Sequence, residues 1–185
     1  MVKSRTRDMA YTALMAAFIC VAAPFQIPIG PVPITLATFA IFTAAATLGM
    51  RRGAAATALY VAVGAIGLPV FTGFSGGLPK LAGATGGFIA GYILCAAATG
   101  LIADMAQRRA GGRARQTCLC ALGMAIGMIL CYTAGTAWFA YLNGGAWDTA
   151  FAVCVAPFLP FDAAKIAVAS VISPAIRARI RGDFL

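Results

Sequence analysis

The feature that most constrains this chain is the placement of its charges. Apolar runs close to the roughly 20 residues a helix needs to cross a bilayer alternate with short basic clusters and glycine- and proline-rich breaks. Charged residues are 10% of the chain and hydrophobic ones 62%, whereas a soluble domain carries about 25% charged residues. The pattern predicts an integral membrane protein built of helices. Its 185 residues give one transmembrane domain (1–185), with no space for an additional soluble catalytic domain.

Six spans are expected, at 9–27, 34–50, 54–68, 87–106, 117–142 and 151–176. The first is expected to be an uncleaved span, because more membrane sequence follows it in place of a polar mature domain. Arg51-Arg52-Gly53 is expected to form a tight turn, 107–116 a basic loop, and 143–148 a short polar loop. Pro157 and Pro160 should interrupt the start of the last span. With six spans, Lys3, Arg5, Arg7, Arg51, Arg52, Arg108, Arg109, Arg113, Arg115, Arg177, Arg179 and Arg181 fall on one side of the membrane. Lys80 alone falls in a loop on the other, and Lys165 lies within a span. Lys and Arg mark the cytoplasmic face, so both termini are expected in the cytoplasm of a multi-pass cell-membrane protein. The net charge of +9 is then a matter of topology and lipid headgroups, and no nucleic-acid partner is expected.

The segment 67–87 is too rich in Gly and Pro for a regular helix, yet too apolar for an ordinary solvated loop. Non-helical backbone at membrane depth is tolerated where it is buried in protein or lines a cavity. The segment is therefore expected as a Gly-rich outer loop over a binding pocket. Gly73, Gly86 and Gly87 allow close backbone approach, or simply give flexibility. Ser75 and Thr85 supply hydroxyls. Phe71, Phe88 and Tyr92 form an apolar wall or pack the core.

Chemistry is sparse. The chain has no His and no Glu; its five acidic residues are Asp8, Asp104, Asp148, Asp162 and Asp183. Six cysteines show no C-x-x-C spacing and read as small apolar packing residues. No phosphate-loop pattern occurs. Neither a nucleophile–base pair nor a metal cluster is evident, so no enzyme activity and no metal is expected. Asp162 and Lys165 stand out because ionised groups inside a span are costly and face a cavity or a partner. Their spacing of three puts them on one helical face. Taken alone, the pair is a ligand site, a self-neutralising structural ion pair, or a consequence of Pro160 turning the backbone outward and leaving Asp162 as a solvated N-cap. On the first span, Ala13 and Ala17 make a small-xxx-small step, which allows close approach of another membrane helix.

Several segments resemble the BioY family, the biotin-binding S components of energy-coupling-factor (ECF) transporters. They are Pro31-Val32-Pro33-Ile34-Thr35-Leu36, Leu48-Gly49-Met50-Arg51-Arg52-Gly53, Gly64-Ala65-Ile66-Gly67-Leu68-Pro69-Val70-Phe71, Gly83-Ala84-Thr85-Gly86-Gly87-Phe88 and the run from Pro157 to Lys165. The resemblance implies a six-helix protein that captures biotin from outside as a transported substrate, with no cofactor. It implies a transmembrane coupling protein and two cytoplasmic ATPases as partners, the former docking on the Ala13–Ala17 face. It also implies that Asp162 and Lys165 contact biotin with the Gly-rich segment, Ser75 standing at a position usually polar and Phe88 at an aromatic one. Phe161 replaces the usual Gly before Asp162, and Ala84 the usual Pro before Thr85. An S component for another vitamin, an intramembrane enzyme and a purely structural subunit are the competing expectations.

Overall fold

Helices in this chain start and stop where proline, glycine and one aspartate direct them. The structure, a computed structural model, describes residues 2–28, 32–108 and 112–182. Ile29, Gly30 and Pro31 of the proline-rich stretch, Arg109 of the basic loop, and Asp183 lie outside the described residues. Helix α1 (Val2–Ala22) stops ahead of Pro24, because a residue preceding proline is pushed out of the helical region. The chain then forms a minimal antiparallel pair, β1 (Gln26–Ile27) with β2 (Ile34–Thr35), Gln26 lying opposite Thr35. The last residues of the expected first span are therefore strand and turn.

Helices α2 (Ala37–Leu48) and α3 (Met50–Ala65) meet at Gly49, whose φ of +86° lies in the left-handed region that glycine adopts without strain. The turn expected at Arg51-Arg52-Gly53 is thus displaced to Gly49, and Arg51 and Arg52 lie in the first turn of α3. The cause is long-range. Asp104 accepts a hydrogen bond from the Met50 N–H at 3.0 Å, satisfying a free donor at the start of α3 that no local side chain caps.

The Gly-rich segment is irregular from Ile66 to Gly77, with a Phe71–Ser75 bridge, and contains one short helix, α4 (Leu78–Ala82). Helices α5 (Gly86–Arg108) and α6 (Arg113–Leu142) form the most extensive helix pair. Arg113, Arg115 and Gln116, expected in a loop, belong to α6. Helix α7 (Trp147–Cys154) is followed by a turn and then by α8 (Leu159–Gly182). The interruption expected at Pro157 and Pro160 is present. Pro160 sits in the first turn of α8, where a missing N–H costs nothing.

Small residues let α5 and α6 approach closely, as membrane helices do when no hydrophobic effect drives them together. A Cβ on Gly91 would lie 3.1 Å from the Cys131 Cα and 3.3 Å from the Ala134 Cβ. The core contains Phe42, Tyr60, Phe71 and Met124, each nearly or fully buried. Leu14, Val21, Ile129 and Val171 are exposed on helix flanks, a surface suited to lipid and costly in water. Helices α5, α6 and α8 are each long and apolar enough to cross a membrane, and α2 is a shorter apolar helix. The protein is a helical membrane protein.

Candidate ligand-binding site

Asp162 is in the first turn of α8, and Lys165 follows one turn later. The break at 155–158 ends α7 and starts a new helix within the apolar segment, which puts the carboxylate among other helices at 3% residue exposure. Lys165 Nζ donates to Asp162 Oδ1 at 2.8 Å and to Thr38 Oγ1 at 3.1 Å. Thr38 donates to the same Oδ1 at 3.3 Å. Tyr132 donates to the other oxygen, Oδ2, at 2.6 Å. Thr38 comes from α2 and Tyr132 from α6, so three helices converge on one ion pair. The side chains of Lys165 and Asp162 are 11% and 5% exposed. A charge so far out of water persists only when paired and hydrogen-bonded.

The cluster borders a small cavity of about 30 Å³ lined by Pro33, Thr35, Thr72, Thr85, Phe88 and Tyr92, among others. That space holds about one or two waters, so a larger ligand must displace side chains to enter. A larger hollow of about 640 Å³ lies on the other side of Tyr132, between α6, α7 and α8. It is open and almost wholly apolar, with Ile129, Trp147 and Phe151 exposed along it. The small cavity is the polar one, and a recognition site needs its convergent donors and acceptors.

Of the residues singled out in the sequence, Asp162, Lys165, Thr85, Phe88 and Tyr92 meet around the cavity. The others are placed differently. Ser75 donates to the Thr72 carbonyl at 2.8 Å, closing its own turn. Gly73, with φ +71°, donates its N–H to the Pro24 carbonyl at 3.0 Å and so ties the Gly-rich segment to the end of α1. Gly86 and Gly87 pack against Leu81 and Trp138. Phe71 is fully buried and stacks edge-on against Tyr60, with ring centroids 5.6 Å apart. Ala13 and Ala17 are exposed on α1, and the buried Ala16 and Ile19 hold the helix to the core.

Thr38, Thr35 and Tyr132 did not emerge from the sequence. Tyr132 carried a signal: a phenol in mid-span needs a hydrogen-bond partner, and Asp162 is the one carboxylate the sequence places well inside a span. Thr38 carried none, because threonines recur along α2. Among the described residues no group of three metal-ligating side chains exists, and the described cysteines are free thiols.

In this helical membrane protein, three helices share one ion pair beside a small cavity that carries convergent polar groups. A model of the BioY family matches residues 1–182, and the chain belongs to that family. It is 38% identical over 169 residues to the biotin transporter BioY of Thermotoga maritima, covering 90% of this chain and 94% of that protein. It is 34% identical over 175 residues to the biotin transporter BioY of Rhizobium etli, covering 92% and 93%. Its fold superposes with a TM-score of 0.83, at 26% identity, on the crystal structure of the S-component for biotin from an ECF-type ABC transporter. That match covers 98% of this chain and 94% of the other.

Proposed function

We propose that this chain binds biotin at the outer face of the cell membrane and carries it inward as the S component of an ECF transporter, with no catalytic step of its own. The observation that carries this reading is the unused hydrogen-bonding capacity at the buried pair. A carboxylate offers about four acceptor sites and an ammonium three donors. Asp162 accepts three bonds and Lys165 donates two. About one acceptor, on Oδ2, and one donor, on Lys165, therefore remain in the same cluster. A cyclic urea presents the complement, an N–H beside a carbonyl. The ureido ring of biotin fits there, its N–H on Asp162 Oδ2 and its carbonyl on Lys165. Phe88, Tyr92 and the walls of Pro33 and Met128 suit its apolar remainder.

Orientation follows from the two ends of the helices. The cavity lies at the Gly86 end of α5, and Arg108 lies at the other, about 34 Å away at 1.5 Å per residue. Arg51, Arg52, Arg113, Arg115, Arg177 and Arg179 belong to the Arg108 end, where Arg177 pairs with Asp104 beside Met50. Because Lys and Arg stay inside, the cavity faces outward and both termini are cytoplasmic. Three long apolar helices (α5, α6 and α8), together with α1, the 16-residue α3 and the 12-residue α2, are the candidates for six spans, with the Gly-rich segment as an outer loop over the pocket. The exposed Ala13–Ala17 edge of α1 suits close docking of a transmembrane coupling protein, itself driven by two cytoplasmic ATPases.

Vesicles reconstituted with this chain, a coupling protein and the ATPases test the proposal. ATP-dependent accumulation of labelled biotin is the expected result. Equal accumulation without the ATPases would remove the partners from the mechanism. No accumulation with every part present would remove transport.

A further inference from the structure

The small cavity and the larger cleft share three lining side chains: Met128, Tyr132 and Asp162 line both. Tyr132 is the member that also touches the ion pair. Its residue exposure is 8%, and its hydroxyl lies 2.6 Å from Asp162 Oδ2, at the short end for a charge-assisted bond.

The two carboxylate oxygens are held unequally. Oδ1 accepts from both Lys165 and Thr38. Oδ2 accepts from Tyr132 alone among the described residues. The terminal torsion of an aspartate is broad and weakly restrained. With Oδ1 held and Oδ2 free, the carboxylate plane could turn, and the one spare acceptor site would no longer point at a fixed place. Held at both oxygens, the plane is fixed. The three donors also come from different elements, since Tyr132 belongs to α6, Thr38 to α2 and Lys165 to α8 itself.

We infer that Tyr132 is a positioning residue of the ligand site, its hydroxyl fixing the plane of Asp162 so that the free acceptor site on Oδ2 meets the ligand. The inference rests on biotin being the ligand of that site. A role limited to packing would need only the ring, which lines both the cavity and the cleft. Tyr132→Phe separates the two roles, because it keeps the ring and removes the donor.

The test uses the full chain purified in detergent, with labelled biotin and infrared spectroscopy. The carboxylate stretch of Asp162 is assigned as the band missing in Asp162→Asn. Tyr132→Phe is expected to weaken biotin binding about tenfold or more, the usual consequence of losing a hydrogen bond to a charged group, and to shift that band. Biosynthetic 3-fluorotyrosine, a stronger donor, should move the same band with no substitution and so serves if the variant does not fold. Unchanged affinity in Tyr132→Phe overturns the inference. So does weaker binding with an unmoved band, which leaves the ring as the whole of the effect. A wild-type chain that binds no biotin would overturn the biotin assignment instead, a result distinguishable from either.

Discussion

Replacing Lys165 by Met tests whether Asp162 and Lys165 are energetically one unit. The substitution keeps the side chain's length and apolar stem and removes its charge. What stays behind is a carboxylate with a side-chain exposure of 5% and two neutral donors, Thr38 and Tyr132. Removing one partner of a buried pair costs about 3–5 kcal/mol. The two remaining donors offset part of that, so Lys165→Met should destabilise the protein by about 3 kcal/mol. Asp162→Asn leaves the cation behind, but a lysine can extend its flexible stem toward a more polar region, so about 2 kcal/mol is expected. The double substitution leaves no buried charge. It should cost less than Lys165→Met alone, which gives a coupling of about 2 kcal/mol or more between neighbours in one network. Reversible unfolding in mixed detergent micelles measures all three variants. Additivity within about 0.5 kcal/mol, the behaviour of independent sites, would refute the claim that the pair forms one buried unit.

Three further outcomes follow from other contacts. Arg177 is 3% exposed, donates to the Ala46 carbonyl at 2.9 Å and pairs with Asp104. Arg177→Met should cost about 3 kcal/mol of stability in the same unfolding assay while changing biotin affinity less than about threefold, because the contact lies at the end of α8 away from Asp162. Gly91→Leu forces a branched side chain against the Cys131 backbone, so it should lower stability by about 1–3 kcal/mol and weaken biotin binding through the neighbouring Tyr92, both read by thermal melting with and without biotin. Ala13→Trp or Ala17→Trp should abolish co-purification with the coupling protein and leave biotin affinity unchanged, because the α1 edge is exposed and outside the cavity.

What could be read from the sequence was what depends on local pattern. Apolar run length located α5 and α6 to within a few residues; the expected last span at 151–176 is divided between α7 and α8, and the Pro157–Pro160 break located the start of α8. The Asp162–Lys165 pair was visible because charge in a span is rare. What escaped depends on contacts between distant residues. The Gly49 turn is set by Asp104, which bonds the Met50 N–H across a separation of 54 positions. That donor–acceptor pair allows α3 to begin at Met50, so Arg51 and Arg52 become helical. The Pro24 break and the strand pairing shorten α1 because β1 finds a partner in β2, which no helix pattern signals. Thr38 is another such case. Its neighbours on α2 include Thr43 and Thr47, and only its position opposite α8 distinguishes it. Phe71 and Ser75 show the converse. Aromatic and hydroxyl residues in a Gly-rich segment suggested a pocket wall, yet one packs on Tyr60 and the other closes its own turn.

Equilibrium binding of labelled biotin to the detergent-purified chain alone, with unlabelled thiamine and riboflavin as competitors, tests the central claim most directly. Saturable binding displaced by unlabelled biotin and by neither other vitamin is the predicted result. Absence of binding by folded protein, or displacement by thiamine or riboflavin, would contradict it.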